Sequence, residues 1–153
     1  MELNRSCTEN ELGRLILRLS NTIIKNRNRH LAALNLTASQ ADSLQFFLTH
    51  EGATATDLKV HMGITHQTAR GLVSRLVNKG LVELRRSQTD ARCQRVYPSE
   101  EGLQLGRRMR SNRERTGASL LAGMSEEEQQ IFLRLMRQAL QNIACDWDGE
   151  QRQ

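Results

Sequence analysis

Residues 54–80 read TATDLKVHMGITHQTARGLVSRLVNKG. Thr54 followed three residues later by Asp57 is a capping-box pattern, and it opens a short helix through Leu58 and Met62. Gly63 stands where a helix stop takes a left-handed residue, and Ile64 can fill the corner behind it. Thr65 then caps a second helix in which Ala69, Leu72, Val73 and Leu76 recur as one apolar stripe. Gly80, directly after Lys79, ends it. The stretch therefore predicts two short helices joined by a tight glycine turn.

On the carboxyl side the period changes. Residues 81–86 and 94–98 are short extended segments around the polar run Ser87, Gln88, Thr89, Asp90 and Ala91, which predicts a hairpin. On the amino side, Thr37 with Gln40 is another capping box, and Ala41, Leu44 and Leu48 mark the buried face of a helix that ends in a turn at Gly52. Leu12, Ile16, Leu19 and Ile23 recur at helical spacing, so residues 9–34 form a long amphipathic helix. Beyond the hairpin, Ser99 with Glu100 and Glu101 starts a helix carrying Leu105, Met109, Thr116 and Leu120, closed by Gly123. Ser125 and Glu128 open a last one, in which Phe132, Met136, Leu140 and Ile143 share a face, before a polar tail around Trp147. A helix, a glycine turn, a second helix with its outer face free and a basic hairpin make the arrangement a major-groove reader requires. The expected fold is mainly α: a winged helix-turn-helix over residues 36–98, with long terminal helices (1–35 and 99–153) as the dimerisation region.

Charge points the same way. The chain has 153 residues, with 22 Lys and Arg against 17 Asp and Glu. Between Thr65 and Tyr97, Arg70, Arg75, Lys79, Arg85, Arg86, Arg92 and Arg95 face only Glu83 and Asp90, so this segment alone carries an excess equal to the whole chain's +5. A clustered excess of cations favours a polyanionic partner. Lys25, Arg27, Arg29 and His30 sit instead at the end of the first helix, where cations suit the negative pole of the dipole. No leader pattern is present and no apolar run approaches the ~20 residues of a membrane span. A cytoplasmic protein without membrane partner, cofactor or metal is expected. Cys7, Cys93 and Cys145 are far apart and odd in number, which suits reduced thiols. His61 and His66 face different ways and lack a third ligand.

At about 3.6 residues per turn, Gln67, Gly71, Ser74 and Asn78 fall opposite the apolar stripe, flanked by Arg70 and Arg75. Gln67 suits adenine and Arg70 guanine through paired hydrogen bonds. Thr65, His66 and Thr68 occupy the start of the helix, in reach of bases or phosphates, while Ser74 and Arg75 suit backbone oxygens. Gly71 offers a spot free of side chain over which a duplex can pass closely. In the hairpin, Arg85, Arg86, Arg92 and Arg95 can enter a minor groove, and Asp90 orients an arginine or shapes the loop.

The ordered set Leu36-Thr37, Gln40, Gly63-Ile64-Thr65, Leu72-Val73-Ser74-Arg75-Leu76 and Lys79-Gly80-Leu81-Val82-Glu83, extended by Asp90, Arg92 and Gly102, resembles the MarR family of bacterial transcription regulators over residues 36–102. Gly71, Ser74 and Pro98 depart from the family's usual residues. The resemblance implies a sequence-specific regulator of double-stranded DNA: a ligand-responsive repressor acting as a homodimer on a pseudo-palindromic operator, with a small-molecule effector. The apolar faces at Leu12, Ile16 and Leu19 and at Phe132, Met136, Leu140 and Ile143 are the candidate dimer surface; they can also pack within one subunit. Two alternatives stand beside this reading. One is a winged-helix module that binds an acidic protein, and the other a thiol-responsive regulator in which Arg92 and Arg95 favour the Cys93 thiolate. No nucleophile elbow, phosphate-binding loop or paired carboxylate is present, so an enzyme is not expected.

Overall fold

The computed structural model describes residues 2–86 and 94–150, with side chains described for residues 8–86 and 94–144. Asp90, Arg92 and Cys93, and the side chains of Cys7, Cys145 and Trp147, lie outside the described residues. The elements run α1 (Glu2–Ala33), α2 (Ala38–Thr49), α3 (Ala55–Met62), α4 (His66–Asn78), β1 (Val82–Arg86), β2 (Gln94–Pro98), α5 (Glu100–Leu121) and α6 (Glu126–Glu150). The chain divides into two compact units, residues 1–113 and 114–153.

Helix starts follow the capping residues. Thr37 and Gln40 exchange bonds at 3.2 and 3.3 Å, and Thr54 and Asp57 do so at 3.2 and 2.7 Å. Thr65 accepts from the Thr68 amide at 3.2 Å. The glycine stops behave as the pattern requires, with φ of 63° at Gly63 and 69° at Gly80, a region that side chains disfavour. Two boundaries differ from expectation: α6 runs on to Glu150 through the expected polar tail, and α1 begins seven residues before Glu9. Apolar periodicity starts only at Leu12, and the polar residues ahead of it hold no glycine or proline to stop a helix.

The Asp57 carboxylate accepts from both the Thr54 main-chain N–H and the Thr54 hydroxyl, at 2.7 and 2.8 Å. These bonds, led by the main-chain one and helped by the charge of Arg95, hold its pKa below the ordinary aspartate value despite a small opposing effect of burial. A carboxyl whose pKa falls on folding stabilises fully above its unfolded pKa of about 3.9 and loses that contribution as pH drops through the lower folded value. Urea midpoints should therefore fall on going from pH 7 to pH 3 by less in Asp57→Asn than in the parent chain; equal drops would refute the role of this carboxylate.

The core of residues 1–113 gathers around the two short helices. Leu44, Phe47, Leu58, Ala69 and Leu76 have no accessible surface, and Leu72, Val82, Val96 and Met109 are nearly as deep. The hairpin pairs antiparallel in the register Val82↔Pro98, Leu84↔Val96 and Arg86↔Gln94. Pro98 has the same parity as Val96, whose N–H points away from β1, so its missing N–H removes no bond between the two strands. The turn after α2 lies along the other edge of β2: Gly52 N–H donates to Val96 O and Val96 N–H to Ala53 O, each at 2.9 Å.

In residues 114–153, Gly123 turns with φ 83° and Ser125 and Glu128 form the expected capping box, at 2.8 and 3.3 Å. Phe132 and Met136 are partly covered, whereas Leu133, Leu135, Leu140 and Ile143 stand 45–67% exposed. Among the described residues no helix is long and apolar enough to cross a membrane.

Candidate nucleic-acid interface

Helix α4 is two-faced, as its spacing requires. Ala69, Leu72, Val73 and Leu76 are buried, while His66, Gln67, Thr68, Arg70, Ser74, Arg75 and Asn78 are exposed. Its first turn holds no acidic side chain, so the positive end of the helix is open to an anion. Thr65 and Thr68 are bound to each other, their hydroxyls 2.8 Å apart, which ties the Thr65 oxygen to the cap. Gly71 meets nothing: a Cβ built there has no atom within 4 Å. The fold therefore does not require glycine at this position.

A groove of about 320 Å³ runs between α4 and the inner face of the wing, lined among others by Arg70, Ser74, Leu84 and Gln94. It brings Gln94 beside the reading helix, a residue sequence reasoning passed over. Its signal was present in the strand alternation, because Gln94, Val96 and Pro98 must share a face once Val96 is placed inward.

The wing arginines do not form one set. Arg85 and Arg95 are register partners on the outer face, with Glu83 and Tyr97. Arg85 lies 3.4 Å from the Glu83 carboxylate, with its guanidinium carbon 4.6 Å from the Tyr97 ring centroid. Arg95 donates to Gly52 O at 3.0 Å. Both are thus engaged within the fold, whereas the next pair along, Arg86 opposite Gln94, faces the other way. Arg92 and Asp90 lie outside the described residues.

The end of α1 does more than complement a dipole. Arg27 pairs with Asp42 of α2, Arg113 donates to the Gln45 side chain at 3.0 Å, and the buried Nε2 of His30 has no partner. These groups line a cavity of about 40 Å³. His61 packs its ring 4.7 Å from that of Phe46, while His66 sits in the first turn of α4, so the two histidines do part across the turn. Among the described residues no cluster of three or more His, Cys, Asp or Glu could hold a metal ion.

The model of the MarR family matches residues 34–92, the segment that contains this helix pair and the first strand of the wing. Over this segment the chain is similar to the MarR family. Over nearly its whole length it is similar to a MarR family protein of Bacillus stearothermophilus of known structure, with 26% identity, a TM-score of 0.77, and coverage of 90% of this chain and 96% of that one. A point mutant of Staphylococcus aureus MepR bound to an oligodeoxyribonucleotide superposes with a TM-score of 0.70 at 21% identity, covering 86% and 97% of the two chains. Among curated proteins, an uncharacterised HTH-type transcriptional regulator of Bacillus subtilis, YybA, is 21% identical over 139 residues, 91% of this chain and 93% of that protein. The fold is a winged helix-turn-helix, and these likenesses support a DNA-binding transcription regulator.

Proposed function

We propose that this protein is a MarR-type regulator that acts in the cytoplasm as a homodimeric, sequence-specific repressor and binds a pseudo-palindromic operator. One observation carries the reading: α4 buries its whole apolar stripe and leaves Gln67, Arg70, Ser74 and Arg75 free on the opposite side, at a helix end open to phosphate. Gln67 and Arg70 read bases, His66, Thr68 and Arg75 hold the backbone, and Arg86 and Arg92 take the adjacent minor groove. The MepR complex with an oligodeoxyribonucleotide supports the same use of the same fold.

A second copy is favoured by unpartnered apolar surface at both ends of the chain. Leu12, Ile16 and Leu19 stand 37–56% exposed, and Leu140 and Ile143 60–67%. Large side chains left in water at helical spacing are what an obligate interface covers. An effector is the family's usual means of control; the cavity beside His30, about 40 Å³, has room for little more than a water molecule or two, so an organic effector must widen it.

Selection of bound sequences from a random duplex pool tests the whole reading. It should enrich an inverted repeat with half-sites about 10 base pairs apart, centre to centre, and sedimentation should give twice the chain mass. A pool that remains random would overturn DNA reading, and a single unrepeated half-site with monomeric mass would overturn the dimer.

A further inference from the structure

Helices α1 and α4 end by the same device. At the end of α1, Asn35 takes φ 55°, with Leu36 N–H donating to Leu31 O at 2.9 Å and Asn35 N–H to Ala32 O at 3.0 Å. At the end of α4, Gly80 takes φ 69°, with Leu81 N–H donating to Leu76 O at 3.0 Å and Gly80 N–H to Val77 O at 2.8 Å. In both, the residue after the left-handed one, Leu36 or Leu81, drops into the shared core. Lys79, the C-cap of α4, links the two ends: its Nζ donates to the main-chain carbonyl of Asn35.

Lys79 lies about 120° around the helix from Gln67, on the Leu72 and Leu76 side and away from the reading face. Its ammonium also stands at the carbonyl ends of two helices, where a cation is favoured twice. We infer that Lys79 is a positioning residue, which fixes the recognition helix to the end of α1 and so sets the angle at which Gln67 and Arg70 meet the bases. This rests on the DNA-binding reading above. It removes Lys79 from the cations that neutralise phosphate, although the sequence counts it among them. It also makes α1, the helix that carries Leu12, Ile16 and Leu19, the element against which α4 is aligned.

The test compares Lys79→Met, which keeps the aliphatic stem and loses the donor, with Lys79→Arg, which keeps a donor and the charge. On the duplex selected by the parent protein, Lys79→Met should bind about tenfold more weakly. Its affinity for random duplex and the slope of log affinity against log salt should stay at parent values, and Lys79→Arg should restore specific binding. A phosphate contact behaves differently: both affinities fall together and the slope becomes shallower by about one. That result, or no change in any measure, overturns the proposal. Hydrogen exchange on the DNA-free protein separates this outcome from failure of the DNA reading. There Lys79→Met should speed exchange of the Leu36, Gly80 and Leu81 amides, whether or not any duplex is bound, and unchanged exchange would equally overturn the clamp.

Discussion

Gly102→Ala should cost the protein at least about 3 kcal/mol of stability, at or beyond the upper end of ordinary overpacking. A Cβ on Gly102 would lie 2.0 Å from the carbonyl oxygen of Leu81 and 3.1 Å from its carbon. That carbonyl cannot swing aside, because it accepts from the Ser99 amide at 3.1 Å just as the chain enters α5. Ser99 is held in turn, since its hydroxyl donates to Gly80 O and accepts from Gly102 N–H at 3.0 Å. Relief requires moving the whole first turn of α5 away from the point where α4 hands over to β1. Gly106→Ala is the informative contrast. There the close atom, at 2.5 Å, is Cδ1 of the Leu48 side chain, which can change rotamer. Gly71→Ala, with open space around it, should stabilise α4 by about 0.5–1 kcal/mol through helix propensity. Urea midpoints at constant slope give all three values. A Gly102→Ala chain within 1 kcal/mol of the parent would show that the backbone at this joint yields more easily than its hydrogen bonds imply.

Replacing Gln67 and Arg70 together by alanine should remove about 2–6 kcal/mol of discrimination between the selected operator and random duplex, taking each paired base contact as worth about 1–3 kcal/mol. Both side chains are exposed, and neither enters an ion pair among the described residues, so the fold should survive. Binding to random duplex should weaken less, because most of that affinity comes from backbone neutralisation. The two positions are close enough on the helix surface to couple, so the single variants need not sum to the double. Competition titrations with both duplexes read this directly. Parallel loss on the two would reassign Gln67 and Arg70 to phosphate.

Local chemistry was legible in the sequence and distant chemistry was not. Thr37, Thr54, Thr65 and Ser125 each mark a helix start, because a cap bonds within three residues of itself. The buried stripe of α4, and hence its free face, follows from helical period alone. Arg95 reads as one more wing cation until Gly52, 43 residues earlier, is found to hold it; the partner of Lys79 is 44 residues away. No periodicity encodes such pairings. Gly102 matched the family pattern in the sequence, but the reason glycine is needed there, the carbonyl of Leu81 pressed against it, exists only once the hairpin has turned back toward α5.

The short backbone pairing of Gly52 and Ala53 with Val96 has a consequence for how the protein behaves in a crowded solution. A lone two-stranded ribbon offers a free edge on each side, and free edges recruit strands from other molecules. Here the loop covers part of one edge, and the remaining edge belongs to a five-residue strand ending in Arg85 and Arg86, whose like charges repel an incoming copy. The same wing that must stay open to a polyanion is in this way guarded against stacking with its own kind.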